Sequence, residues 1–271
     1  MRQSYRDELH SKKRKRVIYK FVALGFVFLV IIVSIFYLLF FARIFDIRNV
    51  NTSGLESIAQ SDFDKAEGDW LNKKTLGISR RDNLLFISSD KLSSYLRSQF
   101  PKIETIKIEK KLAHVLNITI TERKSVGIWC LPAQAGTSTG VCFYFDKDGI
   151  AYAPTSVSTG FLITVINDNR NKNIVLGSSV SDPIWFKNIL LAKEELAKIK
   201  ISVSRFTIPA DSFDEFYTVT SEGWKVLFSN STDITKQISS LAVFLRDKLT
   251  TAKRASIQYV DLKIQDRIYY K

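Results

Sequence analysis

Histidine, cysteine and the short motifs of catalysis are scarce or missing in this chain. Its 271 residues include two histidines and two cysteines, and no serine elbow, P-loop or His-Glu-x-x-His pattern occurs. His114 lies between Ala113 and Val115, where the sequence predicts a solvated turn residue and not a general base. Two cysteines are too few soft ligands for zinc. The sequence therefore predicts no enzyme activity, no metal, no cofactor and no small-molecule substrate.

A calcium loop is excluded on similar grounds. Asp146-Lys147-Asp148-Gly149 resembles the opening of such a loop, but the later ligands, including the closing glutamate, are missing. Asp-Gly between two strand-like runs is typical of a hairpin turn. We therefore predict a turn at this position.

Charge is absent from the 22 residues between Phe21 and Ala42. A helix of that length extends roughly 33 Å, enough to span a hydrocarbon core of about 30 Å. The alternatives are a buried core helix and a cleaved signal peptide. A signal peptide has an apolar region of only about 7–15 residues and a small-residue cleavage site, which Phe40-Phe41-Ala42-Arg43 does not resemble. We therefore predict an uncleaved transmembrane helix over residues 21–42.

Positive charge is concentrated before this helix. The formal net charge is +13, and residues 1–20 hold eight Lys or Arg against two acidic residues. Only Arg43 and Arg48 follow the helix closely, so the positive-inside bias places the N-terminus in the cytoplasm and residues 43–271 on the far side. A basic tail beside a bilayer is attracted to anionic lipid headgroups. This distribution predicts lipid contact and no nucleic-acid partner.

Cys130 and Cys142 both lie in the predicted exported part, where disulfides form and persist. The eleven residues between them include Pro132 and Gly140 and are typical of a hairpin loop. A disulfide across two strands and two buried thiols are both compatible with this pattern.

Residues 43–122 have the pattern of a small α+β domain in the order strand, helix, helix, strand, strand. The first strand is predicted to open at Phe45, and the first helix to end near Gly77. Leu84 to Ile87 form a short apolar patch that we expect to be buried. Pro101 is predicted to end the second helix.

Residues 123–271 are predicted to form a β-rich domain with two helices, which makes the whole chain α+β. The helices are expected to start at Asp182-Pro183 and Asp233, whose carboxylates suit a helix N-terminus. Trp129 and Trp224 lie in strand patterns and are predicted core aromatics, with a position at the border of a binding groove as the alternative for either. The predicted strands are 125–131, 141–146, 161–166, 201–208, 215–221, 223–229 and 256–264.

The order of these patterns resembles a known family. A strand-helix-helix-strand-strand module that follows one transmembrane helix, with Phe45 to Val50 and Pro101 to Ile108 as strand entries, looks like a POTRA domain. The succession Glu122-Arg123, Trp129 and Asp146-x-x-Gly149, followed by Tyr259-Val260-Asp261-Leu262-Lys263, resembles the FtsQ/DivIB family of bacterial cell-division proteins.

This resemblance implies a non-catalytic divisome scaffold in the cell (inner) membrane, whose terminal β region binds FtsB- and FtsL-like partners. An exposed sheet edge lets a partner segment add as a new strand, and residues 265–271 alternate and are rich in β-formers. Lys263 stands where members usually carry Arg, and some members carry an aromatic at the next position. The expected partner contacts are Ile264, Asp266, Arg267, Ile268 and Tyr269.

Three alternatives stay open at this point. Tyr269 and Tyr270 could serve only to complete the core. The chain could be a membrane-tethered envelope enzyme, which a reactive thiol at Cys130 or Cys142 would favour. It could also be a POTRA-bearing secretion or assembly component, but that class predicts repeated POTRA units or a barrel, and the sequence has one such unit and no barrel-length strand series.

Overall fold

The architecture is taken from a computed structural model. The structure describes residues 2–40, 45–73, 82–111, 114–133, 140–156, 163–170, 172–249, 254, 256–265 and 267–271. The chain forms two compact units. The first comprises Met1–Ser53, Asp64–Ser93 and Lys107–Thr119, and the second comprises Gly54–Phe63, Ser94–Ile106 and Ile120–Lys271. The predicted domain boundary at residue 122 stays a prediction.

The first element is a long helix, α1, from Arg2 to Phe40. Its segment Tyr19–Leu38 is long and apolar enough to cross a membrane, and none of that segment is buried inside the protein. An exposed apolar helix of 20 residues is unfavourable in water and favourable in a bilayer. The predicted span ended at Ala42, which lies outside the described residues.

A three-stranded sheet follows, and its elements come in the predicted order. These are β1 (Asn49–Ser53), α2 (Gln60–Leu71), α3 (Ser89–Gln99), β2 (Ile103–Lys111) and β3 (Val115–Glu122). The strand order is β1-β3-β2, and β1 runs parallel to β3 with Asn49 opposite Val115. The predicted β-α-α-β-β order is thus confirmed.

The first strand begins later than the alternating sequence predicted. Phe45 and Ile47 are hydrogen-bonded to a turn instead of to the sheet: Ile47 N donates to Asp82 O at 2.7 Å, and Leu84 N donates to Phe45 O at 2.7 Å. The pairing with β3 therefore starts only at Asn49. Alternation marks an extended segment but does not identify its hydrogen-bonding partner.

The apolar patch from Leu84 to Ile87 is buried only at its two ends. Leu84 and Ile87 are 4% and 3% exposed, whereas Leu85 and Phe86 are each 44% exposed. The expectation of a wholly buried patch was therefore wrong. The first helix ends at Leu71, and its predicted end at Gly77 lies outside the described residues.

The rest of the second unit is built on a nine-stranded mixed sheet with the order β12-β11-β10-β9-β8-β7-β4-β5-β6. The pairs β4–β7, β7–β8 and β10–β11 are parallel, and the other neighbours are antiparallel. The strands are β4 (Gly127–Cys130), β5 (Cys142–Phe145), β6 (Ala151–Thr155), β7 (Thr164–Asp168), β8 (Arg205–Ile208), β9 (Glu215–Val219), β10 (Lys225–Ser229), β11 (Tyr259–Asp261) and β12 (Tyr269–Tyr270).

Two helices, α4 (Pro183–Lys198) and α5 (Ile234–Asp247), contribute to the core of this sheet. Both start where local sequence predicted: the Asp182 side chain accepts from Ile184 N at 3.0 Å, and the Asp233 side chain accepts from Lys236 N at 3.1 Å. Trp129 is 0% and Trp224 1% exposed, which confirms both as core aromatics.

Strand β6 has no counterpart in the sequence prediction. Ala-Tyr-Ala-Pro-Thr has modest strand propensity, and Pro154 cannot donate to a ladder, so such a strand is found at a sheet edge. It is indeed the last strand on its side of the sheet among the residues that the structure describes. The outer side of Ala151 is already occupied, because Ala151 N donates to Ser178 O and Gly177 N donates to Ala151 O.

The closing strand is shorter than predicted. Residues 256–264 were expected to form one strand, but β11 covers only Tyr259–Asp261. Lys263 N donates to the Asp261 side chain at 2.9 Å, which turns the chain out of the ladder after β11. The chain then returns antiparallel as β12.

Cys130 and Cys142 lie opposite each other on β4 and β5 and are joined by a disulfide. Both are buried, at 5% and 3% exposure, beside Ile128 and Val165. The structure thus contains the paired form and not two free thiols. The bond closes the loop between the two strands.

We expect the Cys130→Ser/Cys142→Ser double variant to lose about 2–4 kcal/mol of unfolding free energy, because a disulfide restricts the unfolded chain. Denaturant unfolding of the purified chain in detergent measures this. The unsubstituted chain with reductant should match the variant. Equal stability of the unsubstituted chain with and without reductant would contradict the prediction.

Glu67 on α2 makes stability depend on pH. Burial, aided by the negative charge of Asp64, raises the pKa of Glu67 from 4.5 to about 7. Between pH 4.5 and about 7, Glu67 therefore keeps its proton in the folded state and releases it in the unfolded state. The contribution of neutral Glu67 to the free energy of unfolding is complete below pH 4.5 and is lost as pH rises through 7.

A Glu67→Gln substitution removes this ionisation. We expect the variant to be about 1–2 kcal/mol more stable than the unsubstituted chain at pH 8 and to show little gain at pH 5. Thermal unfolding at the two pH values measures the difference. Asp69→Asn on the same helix is the control, and it should change stability equally at both.

Candidate partner-binding edge

Strand β12 is the outermost strand of the nine-stranded sheet in the part of the chain that the structure describes. It pairs with β11 on one side, with Tyr270 opposite Val260 and Tyr269 opposite Asp261. Lys271 extends the pairing, because Lys271 N donates to Tyr259 O at 3.2 Å and Gln258 N donates to Lys271 O at 2.6 Å. The other side of β12 has no neighbouring strand among these residues.

The pairing decides which backbone groups face outward. In an antiparallel pair, alternate residues direct both N–H and C=O to the neighbour. Lys271 directs its groups to β11, so Tyr270, one residue earlier, directs its N–H and C=O away from the sheet. Ile268 lies two residues before Tyr270, so its N–H and C=O point in the same outward direction in an extended chain. A strand that adds to this edge would pair with Tyr270 and Ile268.

Four of the five sequence-predicted contact residues lie together at this edge. Ile264 is 53% and Tyr269 47% exposed, Arg267 is exposed, and Ile268 is half-buried against the core. Asp266 lies outside the described residues.

Tyr270 is a further residue of the edge that the sequence analysis left out of the contact set. It is 57% exposed, and its ring centroid lies 4.9 Å from that of Phe244 on α5. About half of Tyr269 and of Tyr270 is accessible, so neither ring is enclosed by the core. The alternation of residues 265–271 could have placed Tyr270 in the set, because alternate positions share a face.

A groove runs between α5 and the segment that leads into β12. It contains a cavity of about 240 Å³ lined by apolar Leu262, Ile264 and Ile268 and by three charged residues, Asp233, Lys236 and Arg267. A shallower cleft follows the same helix past Val243, which is 50% exposed, and shares Ser240 and Ile268 with the cavity. Apolar walls with a few charged groups suit an apolar peptide side chain with a polar neighbour.

The inner end of the groove is built by Gln237, which is buried at 6% exposure. Its side chain accepts from Ser229 N at 3.1 Å and donates to Ser229 O and to Thr232 Oγ1, both at 2.8 Å. A buried amide with its polar atoms paired holds the start of α5 against the end of β10. Position 237 thus fixes the helix side of the groove.

Carboxylates hold the turns around the groove. Ser231 and Ser229 donate to Asp214 and keep the pKa of that carboxyl below its ordinary value. The Lys263 ammonium lies 2.8 Å from the Glu215 carboxylate, which raises the pKa of Lys263. Lys263 is therefore engaged within the fold beside the exposed Ile264.

The motif residues that suggested the family have structural roles. Glu122 is 7% exposed and accepts hydrogen bonds from the backbone N–H groups of Glu56, Ser57 and Ile58. Burial alone opposes ionisation, but the hydrogen bonds from Ser57 and from these backbone groups outweigh it and lower the pKa of Glu122. This carboxylate fixes the loop before α2.

Arg123 and Asp146 form the neighbouring ion pair, with side chains 14% and 2% exposed. Arg123 also donates to Pro101 O at 3.1 Å. The second oxygen of Asp146 accepts from Asp148 N and Ile150 N. The Asp-x-x-Gly segment is thus the predicted turn, and Gly149 has the positive φ of 76° that favours glycine.

His114 occupies the predicted turn, with a φ of 73°. It is half-buried and not solvated as expected, because its Nδ1 lies 2.7 Å from Asp46 O. The residues that the structure describes include no cluster of three metal-ligating side chains.

Residues 73–123 match the family model of the POTRA domain, FtsQ-type. The chain carries an FtsQ-type POTRA domain. The predicted resemblance to the FtsQ/DivIB family is therefore confirmed. The matched residues contain α3, β2 and β3, and β1, which precedes them, belongs to the same sheet as β2 and β3. No curated protein sequence matches the chain.

The FtsQ-type POTRA domain supports a scaffold role in cell division. Together with the apolar helix Tyr19–Leu38 it fits a single-pass membrane protein.

Glu122→Gln should destabilise the chain by about 1–3 kcal/mol at pH 7, because an amide places one donor against backbone donors. The folded pKa of Glu122 is lowered, so its contribution is present above the unfolded value of 4.5 and is lost as pH falls further. The difference should therefore shrink at pH 3. Denaturant unfolding measures it, and exposed Glu56→Gln is the control that should stay neutral.

Proposed function

We propose that this protein is a non-catalytic scaffold of the bacterial cell-division machinery that links early and late division proteins and binds FtsB- or FtsL-like partners. Residues 43–122 would form the POTRA domain and residues 123–271 the partner-binding domain. The FtsQ-type match supports the cell-division role. The observation that carries the binding proposal is the outward-facing side of β12 beside the groove along α5.

In this proposal α1 crosses the cytoplasmic (inner) membrane once, with its N-terminus in the cytoplasm and the remaining chain outside. Eight basic residues before the apolar segment support this orientation and would contact anionic lipid headgroups. The Cys130–Cys142 disulfide supports it independently, because disulfides persist in oxidising compartments and are rare in the cytosol.

Partner binding would proceed by strand addition. An incoming strand would exchange hydrogen bonds with the backbone of Tyr270 and Ile268, and its alternate side chains would enter the groove lined by Leu262 and Ile264. Two cations, Lys236 and Arg267, against one carboxylate, Asp233, would favour an acidic side chain at the groove mouth. The main-chain bonds would provide affinity, and the groove would provide selectivity.

The competing functions receive less support. A membrane-tethered enzyme with a thiol nucleophile would need a free cysteine, and the two cysteines are paired with each other. A secretion component would need further POTRA units, and the family match covers one.

We expect Tyr270→Pro and Ile268→Pro each to weaken co-purification of an FtsB-like partner by about tenfold or more, because proline removes an outward N–H that strand addition needs. Tyr270→Val keeps this N–H and favours a strand, so it should retain most of the binding. Arg267→Glu should weaken binding through charge. The measurement is a pull-down from detergent with matched protein amounts.

Circular dichroism of each variant must match that of the unsubstituted chain. Retained binding in both proline variants would refute strand addition at this edge. The cellular test is depletion: cells should filament, and the Tyr270→Val gene should restore division where the Tyr270→Pro gene does not. Normal division after depletion would refute the cell-division role itself.

A further inference from the structure

The turn Asp82–Ile87 of the first unit presents two apolar side chains to solvent. Leu85 and Phe86 are each 44% exposed. Buried Leu84 and Ile87 hold the turn on either side, and the Asn83 side chain accepts from Leu85 N at 2.9 Å. The turn is thus held in a shape that directs Leu85 and Phe86 outward.

Chain connectivity brings this turn close to the membrane helix. Two backbone hydrogen bonds of 2.7 Å, Ile47 N to Asp82 O and Leu84 N to Phe45 O, join it to residues 45–47. Phe45 follows the last residue of α1, Phe40, by only five positions. Five residues span at most about 18 Å, so Phe45, to which the turn is hydrogen-bonded, lies within that distance of the helix end.

Cations lie on or next to the segments that are hydrogen-bonded to this turn. Lys110 Nζ donates to Ile87 O at 2.8 Å, and Arg48, Lys110 and Lys111 are exposed. Asp46 and Asp82 are half-buried and carry the opposite charge. Exposed apolar side chains with Lys and Arg beside them are the arrangement by which protein segments bind at a lipid interface.

We propose that the turn Asp82–Ile87 seats Leu85 and Phe86 in the headgroup–acyl boundary of the membrane that α1 crosses. Arg48, Lys110 and Lys111 lie against lipid phosphates. The first unit is thereby held to the membrane surface at a second point beyond its helix. This inference rests on α1 being a transmembrane helix, and it does not depend on the partner, the orientation or the cell-division role.

Fluorescence quenching in the full chain tests the contact. Because Cys130 and Cys142 are paired, a single introduced cysteine can carry a bimane label. The chain is reconstituted in nanodiscs of phosphatidylcholine and phosphatidylglycerol with or without a nitroxide on the acyl chain. The labelled variants are Leu85→Cys, Leu29→Cys within the apolar helix, and Ser53→Cys at the exposed far end of β1.

Ser53 is the matched control because it belongs to the same unit but lies at the far end of β1. Asn49, at the near end, follows the segment that is bonded to the turn, and Ser53 lies about 13 Å further along the strand. We expect the label at 85 to be quenched at least about twofold more than the label at 53. Phe86→Asp in the Leu85→Cys background should reduce that quenching, because a charge opposes insertion.

Equal quenching at 53 and 85, or no effect of Phe86→Asp, would overturn the proposed contact while quenching at 29 shows that the helix is still embedded. Absence of quenching at 29 would overturn the membrane anchor, and this inference with it. Partner binding is tested separately by co-purification, and the proposed partner-binding function stands or falls independently of the quenching at position 85.

Discussion

Strand β12 has a neighbouring strand on one side only among the residues that the structure describes, and the proposed binding function depends on that imbalance. Unpaired N–H and C=O groups at a sheet edge are a template for another strand, so proteins usually blunt such edges. Here the edge strand is very short, and the ring of Tyr270 rests on Phe244 of α5. These features restrain association with arbitrary strands without closing the site.

The surroundings of this edge show how polar residues are used in the fold. Gln237, Asp214 and Lys263 are all engaged in hydrogen bonds or ion pairs that hold the turns beside the groove. Glu122 and Arg123 act in the same way earlier in the chain, where they fix loops through backbone groups. These polar and charged side chains therefore serve to position the turns and loops of the fold.

Local signals predicted the elements whose formation is decided locally. Helices α4 and α5 begin at Asp182 and Asp233 because each carboxylate satisfies a free backbone N–H within three residues. Strand limits also depend on pairing with distant strands: β11 pairs with β10 only over Tyr259–Asp261, and the hydrogen bond from Lys263 N to the Asp261 side chain then turns the chain away. The weak strand β6 was missed because its sequence contains proline.

The candidate site was predictable only where it depends on residues that are close in sequence. Ile264, Arg267 and Ile268 are close in sequence, so a terminal strand pattern sufficed to group them. The groove was not predictable, since it needs α5, which is distant in sequence, to lie beside them. Likewise, the spacing of Cys130 and Cys142 allowed a bond but could not show that β4 and β5 place them opposite each other.

The two borders of the large sheet differ, and this sets a limit on assembly. At β6, Pro154 lacks a donor and Ala151 is already bonded to Gly177 and Ser178. A head-to-tail filament needs two complementary open borders on every copy. Among the described residues, the β6 border thus offers fewer free backbone groups than the β12 border, which disfavours propagation of copies of this chain into a continuous β-ribbon.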